Sequence, residues 1–332
     1  MLTSLLLTTK LHDQYRILTI PMNYRQQFEV VEGCCSSDDE GSFEKRKYPK
    51  CPTYLAANPY DGCEHNCAYC ITTHDGKTPS NLVKAKVNFV EALRQRLKSS
   101  PNGGRQVPVY LSPWTDAYQQ AEARFGLTRQ IIEMLIEERV PFFIVTKSDL
   151  VSRDLDLMSR EGVACNVCMS VISTDDSMRQ MLEPGTPPAE SRFNAMSEIA
   201  GAQIRTILKI DPIVPGITDS SENLRRIIEK AAQSGTKHVT AEILRLTPVL
   251  WEYMQQALPG EILERIKTAY FSQEGHALNE AEGNIYIPDE ERKRMLTMVR
   301  NMAQSKGMTF STCAYRGGLN LNDGVCLGTK FE

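Results

Sequence analysis

The sequence has no apolar run long enough to cross a membrane or to form the core of a signal peptide. The longest such stretch near its start, Leu5-Leu6-Leu7, is broken at once by Thr8, Thr9 and Lys10. Nor is there an excess of positive charge. A formal net charge of −3 at pH 7 gives no global attraction to nucleic acid, whose binding rests on clustered Lys and Arg that release counterions; a local basic groove remains open. Compositional bias is also missing: with 41% hydrophobic and 24% charged residues, the chain has enough apolar surface to offset the ordering entropy of a compact fold, which excludes wholesale disorder. These absences lead us to expect a soluble, cytoplasmic protein without membrane association.

What is present is cysteine. Ten cysteines in 332 residues would suggest a disulfide framework in an exported chain. Without an export signal, and unevenly placed, they point to metal or redox chemistry.

Residues 1–50 lack sustained periodicity, and 34–50 mix Ser, Gly and both charges as a linker does. The sequence therefore divides into an N-terminal extension or linker (1–50), a core domain (51–247) and a C-terminal segment (248–332). Within the core, β-type runs at 53–57, 107–112, 141–146, 163–173, 204–210 and 239–246 alternate with helical patterns. The helices are expected around Val83, Val87, Val90 and Leu97, then over 127–139, 150–160, 191–200 and 221–233. Such alternation is the signature of successive βα units. The expected fold class is α/β, a partial (β/α)6 TIM-type barrel of parallel strands. The C-terminal segment, mostly helical with a short strand near 308–311, is expected to cap its open side. The stripe Met295, Val299 and Met302 has helical spacing and reads as core.

In barrels of this kind chemistry sits on the loops at the C-terminal ends of the strands. The polar runs 112–116, 146–149 and 170–174 fall there, and so does the segment NPYDGCEHNCAYC, which places Cys63, Cys67 and Cys70 in a CxxxCxxC pattern. A cubane iron–sulfur cluster usually takes four cysteine ligands, so three leave one iron open to a small molecule. Zinc is the alternative, with His65 and His74 nearby. Elsewhere, Cys165 and Cys168 stand three apart on an expected strand, point to opposite faces and read as buried free thiols. Cys313 and Cys326 flank a Gly-rich stretch and can bind a metal, form a redox pair, donate hydrogen to a substrate radical or simply pack.

The CxxxCxxC loop after the first strand of a six-unit barrel resembles the radical S-adenosylmethionine superfamily. SPWTDAYQQAE, LTRQIIEML, FFIVTKSDLVSRDLDLM, SVISTDD, LEPGTPPAESR and DPIVPGITD follow in the order expected of its spore photoproduct lyase-like members, over about 54–246. The resemblance implies that Cys63, Cys67 and Cys70 ligate a 4Fe–4S cluster whose open iron chelates S-adenosylmethionine. Reductive cleavage then gives a 5′-deoxyadenosyl radical that removes a substrate hydrogen atom. It also implies a Tyr69 beside the adenine, and polar groups of Thr115, Asp116, Lys147 and Ser170 reaching the ribose or methionine moiety. Packing or helix capping are the other readings of these residues. Asp116 can equally orient its loop, and Asp149 reads as a helix N-cap. A Lys147 directly after PFFIVT is placed to pair with a cofactor carboxylate. Arg245, in the last expected strand, is a further candidate for that task or for a substrate anion.

Two departures bear on the substrate. The lyase proper uses a cysteine hydrogen donor after the second strand, where LSPWTD has none, and a tyrosine directly after the third cluster cysteine, where this chain has Ile71. Modification of a ribosomally made peptide or protein by splicease-like or related backbone chemistry is therefore expected ahead of repair of thymine photoproducts in DNA. A non-catalytic metal-binding module stands as a third reading. The expected partners are an electron donor such as flavodoxin or ferredoxin, a precursor peptide and a small peptide-binding protein.

Overall fold

The computed structural model describes residues 54–70, 83–98, 108–271, 284–312 and 321–323, and the backbone of short strands at 11–12, 15–18, 30–31 and 278–279. Cys34, Cys35, Cys51, Ile71, His74, Cys313 and Cys326 lie outside the described residues.

Seven parallel strands form the core sheet: β1 (Tyr54–Ala57), β2 (Val109–Leu111), β3 (Phe142–Thr146), β4 (Cys165–Ser170), β5 (Arg205–Ile213), β6 (His238–Ile243) and β7 (Thr309–Ser311). They lie in simple chain order, each paired in parallel with the next. Val30–Val31 adds an antiparallel edge strand beside β1. The strand expected near 308–311 is thus β7, continuing the sheet beyond β6. Among the described residues β1 and β7 do not pair, so the sheet is open.

Alternation along each strand separates two faces. Leu55, Val109, Leu111, Phe142, Ile144, Val167, Met169, Leu208, Ile210, Val239 and Ala241 enter the main core. There they meet residues of α3 (Leu127–Glu137), α6 (Ala189–Gly201) and α7 (Ser221–Gln233). The core also takes Met295 and Val299 from α10 (Asp289–Ser305), with Met302 packed at its edge. On the opposite face β1, β2 and β3 present Tyr54, Tyr110 and Phe143, whose ring centroids lie 4.2 to 5.5 Å apart. The same face of β4, β5 and β6 carries the polar residues Asn166, Ser170, Lys209, Thr240 and Glu242.

Two local expectations are corrected. Val83 begins a strand, Val83–Lys86, which pairs with Tyr60–Asp61 and with Tyr15–Leu18; the helix, α1 (Phe89–Lys98), starts only after it. Val83 and Ala85 are buried while Lys84 is not, a two-residue alternation that the valine spacing hid. The strand expected over 239–246 ends at Ile243, so Arg245 follows β6 rather than lying in it.

Candidate active site

The cysteine loop leaves β1 through Tyr60–Asp61 and turns at two residues in left-handed backbone, Gly62 (φ 83°) and Asn66 (φ 46°). Glycine adopts that region freely and asparagine tolerates it, so the chain can coil tightly around its own cysteines. Cys67 is buried, and Cys63 and Cys70 are half-buried. Their charges act on one another and on Lys147, which places the thiols and this ammonium group in one neighbourhood. Burial, then the nearby Asp116 carboxylate, pushes the Cys63 thiol up to about 12, and burial raises Cys67 well above its ordinary value. Deprotonation here therefore calls for a compensating cation, as a coordinated metal provides.

The loop is held from two sides. Gln119, fully buried, donates from Nε2 to the Gly62 carbonyl (3.1 Å) and accepts the Glu64 N–H (3.0 Å). The Glu64 carboxylate in turn accepts the N–H of Ala121 at the start of α2 (Gln120–Phe125), at 2.5 Å. On the other side lies the segment after α5 (Asp176–Leu182). Ala68 N–H donates to the Leu182 carbonyl (2.9 Å), Gly185 N–H to the His65 carbonyl (3.1 Å), and the Tyr69 hydroxyl to Glu183 Oε1. A Cβ on Gly185 would stand 2.1 Å from the Glu64 carbonyl oxygen and 2.8 Å from His65 Cα. Only glycine permits this approach of backbone to backbone.

Asp116 organises the rim. Its carboxylate accepts from Thr146 Oγ1 (2.6 Å), Lys147 N–H (2.7 Å) and Tyr118 N–H (2.8 Å), and Oδ2 stands 3.0 Å from His65 Nε2, off the line of a good hydrogen bond. Burial alone would raise its pKa, but His65 and these donors overrule it and hold the carboxyl well below the usual range. With His65 Nδ1 3.0 Å from the Gly185 carbonyl as well, both of its ring nitrogens face loop partners. Among the described residues no group of three or more His, Cys, Asp or Glu gathers as one metal ion requires.

Lys147, just past β3, is half-buried with its ammonium 5.8 Å over the Tyr69 ring, and no described carboxylate forms an ion pair with it. Burial works against its charge, but Cys67, Glu183, Asp116 and Cys70 together raise its pKa, so it stays protonated at ordinary pH. Two buried hydroxyls at neighbouring strand ends have no hydrogen-bond partner: Ser112 Oγ after β2 and Ser170 Oγ at the end of β4. Ser112 also sits at φ 55°, a backbone state that costs a non-glycine residue about 1 kcal/mol or more. Polar atoms left dry in this way call for a ligand or an ordered water. Tyr253 of α8 (Pro248–Ala257), half-buried, is raised by burial and by the charges of Cys70 and Cys67, so the C-terminal helices also reach this neighbourhood.

A family model of the radical SAM superfamily matches residues 57–231, from the end of β1 through most of α7. The chain belongs to the radical SAM superfamily.

Relatives of this radical SAM chain include an uncharacterised protein of Mycobacterium tuberculosis, 32% identical across 59% of this chain and 60% of its own length. A Radical SAM Nalpha-GlyT isomerase of Pseudomonas phage M6 is 25% identical across 85% of this chain and 58% of its own length. The chain thus spans about 60% of the length of the mycobacterial relative. In fold it is similar to a spore photoproduct lyase variant with bound AdoMet and dinucleoside spore photoproduct, at TM-score 0.61 and 16% identity over 77% of this chain and 75% of that one.

Membership of the superfamily implies a 4Fe–4S cluster and S-adenosylmethionine, and the donor set fits both. Three thiols line one loop, an ammonium without an ion-pair partner stands beside them, and two dry hydroxyls wait at the strand ends. Of the other expected residues, Thr115 donates to the Tyr60 carbonyl (3.5 Å), and Tyr69 commits its hydroxyl to Glu183. Arg245 is half-buried, and no described acceptor pairs with it. Asp149 is not the N-cap: Ser148 is, accepting from Leu150 N–H at 3.3 Å. Cys165 packs against the core with its thiol raised by burial, and Cys168 is buried on the opposite face. Sequence reasoning passed over Ser112, Gln119, Glu183, Gly185 and Arg192. The available signal was a Glu, a Gly and an Arg within LEPGTPPAESR, directly after a barrel strand.

Proposed function

We propose that Cys63, Cys67 and Cys70 hold the 4Fe–4S cluster and that Lys147, Ser170 and Ser112 engage S-adenosylmethionine beside it, in an enzyme that abstracts a hydrogen atom from a peptide or protein. The observation that carries the site is the convergence of three thiols and one unpaired ammonium at the ends of parallel strands. When bound, the cluster and S-adenosylmethionine supply a 5′-deoxyadenosyl radical. The residues of the chain orient and shield. Lys147 offers a charge-assisted bond to a carboxylate. Asp116, carrying both the Lys147 N–H and Thr146, fixes where that lysine leaves the strand. Ser112 and Ser170 offer hydroxyls to the ribose or methionine moiety, with Thr115, Tyr69 and Arg245 as outer members of the same set. Cys313 belongs to this reading as a hydrogen donor to a substrate radical.

The net charge of −3 supports a peptide over a polyanion. The reading includes a flavodoxin- or ferredoxin-type electron donor, a small peptide-binding partner and a cytoplasmic setting. No helix among the described residues is long and apolar enough to cross a membrane. The division at 50 and 247 belongs to it too, the C-terminal segment supplying β7 and α8. A second reading, chemistry on a thymine-containing nucleic acid, is favoured by the likeness to a lyase that holds a dinucleoside photoproduct. Deuterated substrate pools separate the two. Deuterium entering 5′-deoxyadenosine from a peptide pool supports the first, and transfer only from deuterated thymine oligonucleotides replaces it with the second.

A further inference from the structure

Glu183 and Arg192 form the most deeply buried ion pair at this site: each side chain is 1% exposed, and Arg192 Nη1 lies 2.8 Å from Glu183 Oε2. A buried pair of this kind is weak evidence for stability, since apolar residues of similar volume often serve as well. Its directional bonds are more informative. Glu183 accepts the hydroxyl of Tyr69, which stands between Cys67 and Cys70. Arg192 donates from Nη1 to the Ser170 carbonyl (2.9 Å), from Nε to the Pro187 carbonyl (3.0 Å) and from Nη2 to Thr186 Oγ1. Ser170 is the last residue of β4 and carries one of the two dry hydroxyls.

We infer that Tyr69, Glu183, Arg192 and Ser170 form a rigid bridge that sets the spacing between the cysteine loop and the β4 rim, with Glu183 as its positioning residue. The inference rests on the proposed reading of the site, in which those two segments grip opposite ends of one cofactor. A hundred residues of chain separate Tyr69 from Ser170, and the register of a mobile loop against a strand end would otherwise be left to weak packing. Bonds among buried, ionised groups fix distance and angle together, because each donor leaves its acceptor only at the cost of an unpaired charge. Lys147 is drawn into the same frame, its ammonium over the Tyr69 ring that Glu183 anchors. The bridge therefore holds at once the iron-ligating loop, the candidate carboxylate partner and a candidate hydroxyl.

The test uses the full chain after anaerobic cluster reconstitution, comparing wild type with Tyr69→Phe and Glu183→Gln. Iron and sulfide per chain, thermal midpoint, S-adenosylmethionine affinity and the change in the reduced-cluster EPR signal on adding S-adenosylmethionine are measured together. Tyr69→Phe, which keeps the ring and the Glu183–Arg192 pair, is expected to retain iron and thermal midpoint. It should bind S-adenosylmethionine about tenfold more weakly, the loss of one charge-assisted hydrogen bond, and show a broadened EPR response. Glu183→Gln is expected to lose at least as much, and if it does not fold, Tyr69→Phe decides. Wild-type affinity and EPR response in Tyr69→Phe overturn the inference, as does a loss of affinity no greater than the accompanying loss of iron and midpoint. Failure of the underlying reading shows instead in the wild type, as a protein that takes up no sulfide.

Discussion

Replacing Gly185 with alanine places a methyl group where the backbone of the cysteine loop already lies. The new Cβ would meet the Glu64 carbonyl oxygen at 2.1 Å and His65 Cα at 2.8 Å, both main-chain atoms that cannot swing aside as a side-chain tip can. The loop and the segment after α5 must part by about 1 Å, against an ordinary carbon–carbon contact of 3.5–4.0 Å. Overpacking of this kind costs typically 1–3 kcal/mol. The separation also strains the Gly185 N–H bond to the His65 carbonyl, the His65 Nδ1 contact with the Gly185 carbonyl, and the neighbouring Ala68 to Leu182 bond, each worth about 1 kcal/mol. A total of about 3–5 kcal/mol falls on the loop that carries Cys63 and Cys67. Gly185→Ala should therefore take up well under half of the wild-type iron, with a lowered urea midpoint of the iron-free protein. Full iron with an unchanged midpoint would refute the close approach and the two-sided grip on the loop.

Three further outcomes follow from the geometry. Lys147→Ala should weaken S-adenosylmethionine binding about tenfold or more while leaving iron content intact, because it removes a charge-assisted bond but no ligand; equilibrium dialysis checks this, and unchanged binding removes Lys147 from the site. Gln119→Ala should lower iron retention during gel filtration by freeing Gly62 and Glu64 on either side of Cys63, and retention equal to wild type would leave that side of the grip without consequence. His238 should give the fold an acid sensitivity of its own. Burial first, then Arg205, hold its pKa down at about 4, against partial opposition from Asp323, while its ring contacts Thr309 and Ser311 of β7. The unfolded chain takes up this proton near pH 6.5, so stability is complete above that pH and declines as pH falls towards 4, by about 3 kcal/mol in all. Urea midpoints between pH 7 and 4.5 should fall less steeply in His238→Gln than in wild type; identical slopes would exclude His238.

The elements that could be read from the sequence are those specified locally. Ser221–Gln233 has the expected bounds because Ser220 caps it, accepting from Asn223 N–H, and because its apolar residues keep helical spacing. The Val83 strand was hidden because pairing with Tyr60–Asp61 and Tyr15–Leu18, a matter of tertiary structure, chose its conformation over the valine periodicity. The site divides in the same way. CxxxCxxC is a local pattern and names its chemistry. The groups that hold the loop reach it from far along the chain, 55 residues away for Gln119 and 114 for Glu183, and no spacing rule connects them. Even the choice of Ser148 over Asp149 as N-cap turned on one residue of backbone geometry.

The central claim, that Cys63, Cys67 and Cys70 carry an iron–sulfur cluster which opens S-adenosylmethionine to radical chemistry, meets its most direct test in one oxygen-free experiment. Iron, sulfide, zinc and 5′-deoxyadenosine per chain are quantified after adding dithionite and S-adenosylmethionine to wild type and to Cys67→Ala. The account predicts about four iron and about four sulfide in the wild type, with 5′-deoxyadenosine formed, and the loss of all three in the variant. Stoichiometric zinc without sulfide in the wild type, or undiminished 5′-deoxyadenosine in Cys67→Ala, would contradict it.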